Sequence, residues 1–169
     1  MFSQFEPIIP YVSMGNIKLG SNIDEVISEL KKSNLQICYR NEGGGYKEFY
    51  DIEQYMTIGF LTKNRKIDTL YSNIDYKGGI NNQIYVGMTL EEVKQKDSSL
   101  VFIDGDDEYV SINNGYIIRL EDNGWIDLNV IEITLKDFFP SVIVNSNNKI
   151  EYDYKKNNIK QSIWESGDW

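Results

Sequence analysis

Apolar residues recur along the chain with two different periods, and the switches between them outline its elements. Ile23, Val26, Ile27 and Leu30 fall at i, i+3, i+4 and i+7, the spacing of one helical face. Asn22 precedes this run and Glu25 follows three residues later, the pairing of an N-cap with its reciprocal carboxylate. Thr89 and Glu92 repeat that start, with Leu90 and Val93 as the apolar positions before the polar run Lys94-Gln95-Lys96-Asp97. After each predicted helix come short apolar or alternating runs bounded by turn residues, which predict strands. In the first half they are 35–40, 46–53, 55–61 and 66–72; in the second they are 100–104, 108–113, 116–121 and 125–135. In the last run Ile126, Leu128 and Val130 alternate, then Ile131, Ile133 and Leu135 do, and that change of phase predicts a bulge near Val130.

The two halves align at two anchors. Ile17-Lys18-Leu19-Gly20-Ser21-Asn22-Ile23-Asp24-Glu25-Val26 matches Ile84-Tyr85-Val86-Gly87-Met88-Thr89-Leu90-Glu91-Glu92-Val93. Further on, Leu61-Thr62-Lys63-Asn64-Arg65-Lys66-Ile67-Asp68 matches Leu120-Glu121-Asp122-Asn123-Gly124-Trp125-Ile126-Asp127, with Asn123-Gly124 a hairpin signal. The expected fold class is therefore α+β: two tandem repeats, each a helix plus a four-stranded antiparallel meander, with a C-terminal hairpin and tail. Residues 1–79 form the first repeat with its N-terminal extension, 80–136 the second, and 137–169 the hairpin and an aromatic tail packed on the repeats. Gly78-Gly79 reads as the joint, and Val142-Ile143-Val144 with 149–154 as the added hairpin.

Composition narrows the chemistry. The net charge of −9 opposes non-specific binding to nucleic acid and to anionic membranes, and favours fast association with a basic partner. There is no histidine, which removes the commonest general base and the imidazole-rich metal sites. Cys38, the single cysteine, lies in an apolar run and is expected as a buried core residue. Gly43-Gly44-Gly45 lacks a following Gly-Lys-Ser/Thr and reads as a hairpin loop, not a phosphate cradle. The opening residues have no signal-peptide pattern, and no stretch approaches the ~18 apolar residues of a membrane span. A cytoplasmic, non-enzymatic protein without cofactor or metal is expected.

Charge is unevenly placed: residues 1–79 carry 10 acidic and 9 basic side chains, residues 80–169 carry 16 and 8. In a four-strand meander the first and third turns lie at the same end. Asp104, Asp106, Asp107 and Glu108 border one such turn of the second repeat, Glu121 and Asp122 the other, with Trp125 just beyond. The run 104–108 does not follow the alternating ligand pattern of a calcium loop. These residues form a candidate partner-binding rim with an aromatic anchor. The equivalent end of the first repeat carries Lys47, Lys63, Arg65 and Lys66 with Glu42, a mostly positive rim.

Ile84-x-Val86-Gly87-Met88-Thr89-x-Glu91-Glu92-Val93 followed by strands, in tandem, resembles the repeat unit of beta-lactamase inhibitor protein and its relatives, over residues 15–135. That architecture implies gripping a partner through sheet faces and loops. A small, acidic chain without recognisable catalytic groups also resembles the immunity proteins of bacterial contact-dependent toxin systems. That resemblance implies binding and neutralising a cognate toxin domain, a basic nuclease for example, in the cytoplasm of the producing cell. The alternative is a non-catalytic protein-binding scaffold of housekeeping or phage origin.

Overall fold

A computed structural model of the chain describes residues 1–121 and 129–153. Its elements are β1 (Ser13–Met14), β2 (Ile17–Lys18), α1 (Ile23–Leu30), β3 (Ile37–Arg40), β4 (Lys47–Ile52), β5 (Met56–Leu61), β6 (Ile67–Ser72), α2 (Leu90–Lys96), β7 (Val101–Ile103), β8 (Glu108–Ser111), β9 (Tyr116–Leu120), β10 (Val130–Lys136), β11 (Val142–Val144) and β12 (Ile150–Tyr152). Over the described residues the chain is mostly β, with two short helices, and this corrects the expected α+β fold of two helix-plus-meander repeats. β3 to β10 form one eight-stranded antiparallel sheet in the order β3-β4-β5-β6-β10-β9-β8-β7. The reason lies at the centre. Two free meanders would each expose two edges of unpaired N–H and C=O groups. Instead β10 pairs with β6, Thr134 opposite Tyr71, Leu135 opposite Leu70 and Lys136 opposite Thr69.

The helices start where the local chemistry predicts. Asn22 Oδ1 accepts hydrogen bonds from the Asp24 and Glu25 amides, at 2.9 and 3.3 Å, satisfying donors that the first turn leaves free. Thr89 Oγ1 accepts from the Glu92 amide at 3.2 Å and donates to Glu92 Oε1 at 3.1 Å. Ile23, Ile27 and Leu30 are buried, as is Val93 of α2. They pack in one core with Ile52, Met56, Ile58, Phe60, Leu70, Ile118, Ile133 and Leu135. Each such side chain contributes roughly 1.5–3 kcal/mol by leaving water. The register places these strand residues on one face of the sheet, since Ile58 lies opposite Leu70, Leu70 opposite Leu135 and Ile133 opposite Ile118.

The other face is covered differently along its width. β11 and β12 pair as a hairpin, Val142 opposite Tyr152 and Val144 opposite Ile150. A second core joins Tyr152, Ile150 and Val142 to Ile103, Val110 and Ile117, so the hairpin lies over β7, β8 and β9. The Asp104 amide donates to the Ile150 carbonyl at 2.7 Å and fastens it there. No described segment covers the same face over β3 to β6.

Two irregularities aim side chains. The phase change near Val130 is a register shift between Val130 and Glu132 against β9. A second shift, between Gly59 and Phe60 against β6, sets the extra residue Asp68 beside Thr69. Gly78 is less a loose joint than a close crossing, because a Cβ there would lie 1.9 Å from the Glu6 carbonyl oxygen. The Lys77 and Gly78 amides both donate to the Gln4 carbonyl. Cys38 corrects a further expectation: it is exposed. β3 is an edge strand, and Cys38 sits opposite Asp51, on the face that no other described segment covers, while Ile37, opposite Ile52, is half-buried against the core.

Candidate functional site

The half-face that no other described segment covers carries Arg40, Lys47, Phe49, Asp51, Thr57, Thr69, Tyr71, Thr134 and Lys136, all on alternate positions of β3, β4, β5, β6 and β10. Lys47 is its most unusual member. Its side chain is 7% exposed and crosses over Gly59, where an added Cβ would meet Lys47 Cε at 2.7 Å. The ammonium lies 3.2 Å from Asp68 Oδ1, donates to Thr69 Oγ1, and sits 5.9 Å from the ring centres of Phe49 and Tyr71. The bulge that sets Asp68 beside Thr69 is what lets both oxygens meet one ammonium. Burial lowers the Lys47 pKa, and the neighbouring Asp68 carboxylate opposes the shift. Thus a positive rim residue in the sequence is an interior cation of the sheet face, with a carboxylate 13% exposed as its partner.

Beside it Arg40 stacks on Phe49, its guanidinium carbon 4.7 Å from the ring centre. Arg40 Nε donates to Asp51 Oδ2 at 2.8 Å, and a terminal nitrogen donates to Glu42. Thr57 Oγ1 donates to Asp51 Oδ1 at 2.6 Å and locks that carboxylate from the other side.

Where this face meets the hairpin there is a cleft of about 550 Å³. Its floor is Lys47, Phe49, Thr69, Tyr71 and Lys136. Its walls are Glu42 and Tyr46 from the β3–β4 loop, Asp137, Phe138 and Pro140 leaving β10, Tyr152 of β12, and Asp106 of the β7–β8 turn. Burial and the Asp68 charge push the Tyr46 phenol up to about 12, and burial raises Tyr71 as well, so both rings stay neutral donors at physiological pH. Among the described residues no group of three or more Cys, Asp or Glu is arranged to hold a metal ion.

The predicted rim divides. Asp106 and Asp107 are exposed on the β7–β8 turn, and Glu121 is exposed at the end of β9. Asp104 is half-buried and accepts from Asn145 Nδ2 at 2.9 Å. Glu108 is buried: it accepts from the Tyr152 hydroxyl at 2.9 Å and lies 3.9 Å from Arg119, so it faces the hairpin. Asp122 and Trp125 lie outside the described residues. Of its described members, only Asp106 lines the cleft. The expected positive rim is also rearranged. Arg65 pairs with Asp24 of α1 at 2.7 Å, and the antiparallel joining of β6 to β10 sets turn 62–66 at the opposite end of the sheet from turn 104–107 and from Leu120 and Val130. The sequence marks Lys47 only as part of the positive rim, and it singles out none of Asp68, Tyr71 and Lys136. Their signal is faint: a lysine and an aspartate at strand positions, on a face whose described cover is set by the placement of the hairpin.

No protein-family model matches the chain, and no curated protein matches it. Among solved structures it is similar to the uncharacterized protein yfeY from Escherichia coli, at 10% identity and a TM-score of 0.53, over 76% of this chain and 98% of that one. That likeness is one of fold alone.

Proposed function

We propose that the protein is a non-catalytic binding protein that holds a basic protein domain against its uncovered sheet face and the exposed carboxylates beside it. Its most fitting role is that of an immunity protein neutralising a cognate toxin domain in the cytoplasm. The observation that carries this reading is the half-covered face. One hairpin seals the sheet over β7 to β9, and the described chain leaves the neighbouring half open, with aromatic rings, paired charges and a cleft. Aromatic and arginine side chains on an open, rigid surface are the composition of protein interfaces. The net charge of −9 selects a basic partner and speeds the encounter. No described helix is long and apolar enough to cross a membrane.

A tagged full-length chain expressed in its native host, captured with its partners after cross-linking, tests the reading. The expected product is one basic protein in a one-to-one complex, whose association rate falls as salt rises while dissociation changes little. Charge reversal at Asp106, Asp107 and Glu121 slows association. Capture of no partner, or a partner bound equally well after charge reversal and in high salt, sinks the proposal. Loss of the partner's toxic activity on complex formation separates an immunity protein from a scaffold.

A further inference from the structure

The two edges of the eight-stranded sheet are guarded differently. At β7 the hairpin lies against the edge: the Asp104 amide donates to the Ile150 carbonyl at 2.7 Å, and Asn145 holds the Asp104 carboxylate at 2.9 Å. No described segment covers the β3 edge in this way. The Gln36 carbonyl accepts from the Glu53 amide at 3.1 Å, which extends the β3–β4 register and fixes which main-chain groups turn inward. Antiparallel pairs alternate between bonded and non-bonded, so Gln36, Cys38 and Arg40 bond to β4 while Ile37 and Tyr39 aim their N–H and C=O groups outward. Among the described residues nothing pairs with these groups. Proteins ordinarily protect such an edge with a proline, a bulge or an exposed charge. β3 has none of these: its register against β4 is regular, and its one charged residue, Arg40, is neutralised by Asp51 and Glu42.

The side chains along this edge match a second copy of themselves. On the core side Tyr39 ends a row of rings, 5.4 Å from Tyr50, which stacks 5.8 Å from Phe60. Tyr39 is 51% exposed, and Ile37 on the same side is half-buried. A bonded pairing sets outward residues against outward residues. With two copies antiparallel about Cys38, Ile37 of each faces Tyr39 of the other, a β-branched side chain against an aromatic one, which is a favoured cross-strand pair. On the opposite side Gln36 faces Arg40 and Cys38 faces Cys38, so no like charges meet. Moving the axis to Tyr39 sets Ile37 against the polar Asn41 and loses both mixed pairs.

We propose that two copies of this chain join at β3, antiparallel across a two-fold axis at Cys38, so that their sheets run on as one. The paired edge is one short strand long, so the dimer forms and parts with concentration and is not permanent. It does not depend on the toxin-binding reading, and each chain keeps its own half-face for a partner. Cys38 reports the contact without being needed for it, and its thiol stands off the sheet face, open to solvent.

Sedimentation velocity of the full-length chain, with reductant and over a wide range of concentration, tests this. The unaltered chain passes from monomer to dimer as concentration rises. Tyr39→Pro removes an outward N–H from each copy without touching a bond to β4, and weakens the dimer by about tenfold or more. Cys38→Lys sets a lysine opposite Asp51 in its own chain but against a second lysine across the axis, and weakens the dimer by about threefold or more. Cys38→Val keeps the strand and leaves the dimer intact. Without reductant, diamide takes up the two thiol hydrogens and joins Cys38 to Cys38, because facing Cα atoms of a non-bonded pair lie about 4.5 Å apart, within disulfide reach. Tyr39→Pro slows that cross-link by about tenfold. Circular dichroism checks that each variant folds; should Tyr39→Pro fail to, Cys38→Lys decides. A monomer at every concentration overturns the proposal, as does a dimer that survives the folded variants unchanged and so uses another surface. Loss of the dimer in Cys38→Val overturns it too, because the thiol and not the strand edge would then hold the copies together.

Discussion

Asp97 is the best place to test whether the described interactions hold the second half of the sheet. It ends α2, is 8% exposed, and every group around its carboxylate is a donor. The Ser99 amide and hydroxyl bond to Oδ1, the amide at 3.0 Å; Asn114 Nδ2 at 2.8 Å and the Tyr116 hydroxyl at 2.6 Å bond to Oδ2. Burial alone would raise this carboxyl, but the serine, tyrosine and asparagine donors outweigh it and hold the pKa well below the usual carboxylate range. Asp97→Ala removes all four acceptor contacts. Ser99, Ser111 and Asn114 can still bond to one another, their polar atoms being 3.0 to 3.5 Å apart. The Tyr116 hydroxyl, on a wholly buried ring, loses its carboxylate acceptor and keeps only the Ser111 hydroxyl beside it. A buried hydroxyl deprived of its acceptor costs about 1–3 kcal/mol and each lost bond to a charge a comparable amount, with strong overlap, so a total of ~3–4 kcal/mol is expected. For a chain of this size that lowers the Tm by about 10 °C. Asp97→Asn must turn an NH2 toward a donor and loses roughly half as much.

The pH dependence has a definite sign. A depressed native pKa gives stability that is full above the unfolded value, 3.8, and is lost as pH falls through the native one. The Tm difference between the unaltered chain and Asp97→Asn should therefore be largest near neutrality and shrink below about pH 4. Thermal unfolding by circular dichroism, repeated across pH, measures this. A shift of less than about 2 °C for Asp97→Ala at neutral pH, smaller than 1 kcal/mol allows, would refute the reasoning. So would a gap that widens on acidification.

Gly59→Ala should lower the Tm by several degrees, since the new Cβ at 2.7 Å from Lys47 Cε displaces a buried ammonium from Asp68; a cost of about 1–3 kcal/mol in urea unfolding is expected. Burial raises the Glu132 pKa, so its native form resists ionisation: stability is full below the unfolded value and falls as pH rises through the native one. Glu132→Gln should therefore raise the Tm at neutral pH and have little effect near pH 4, as a fluorimetric melt at both values will show. Cys38 should react in the native state with a thiol reagent at close to the rate of the unfolded chain, because its side chain is exposed; slow, unfolding-limited labelling would contradict its position on the open face.

What the sequence determined by itself is what neighbouring residues decide among themselves. Asn22 and Thr89 cap their helices because a side-chain oxygen reaches amides only two or three residues away. The strand runs, the glycine-rich loop and the bulge after Val130 are written in alternation and turn residues, which are local too. Tertiary structure alone decided that β6 and β10 pair, because an edge strand's unpaired groups can be met by any matching edge and nothing in either run names its partner. It decided the burial of Lys47, which follows from Gly59 beneath it and from a bulge that turns Asp68 toward it from a strand two places away. It also decided which carboxylates face outward. Asp104, Asp106, Asp107 and Glu108 look alike along the chain, yet the hairpin takes Asp104 and Glu108 for its own hydrogen bonds and leaves Asp106 at the cleft. Side-chain charge is a property of sequence; whether that charge is spent inside the fold or offered to a partner depends on which distant segment packs against it.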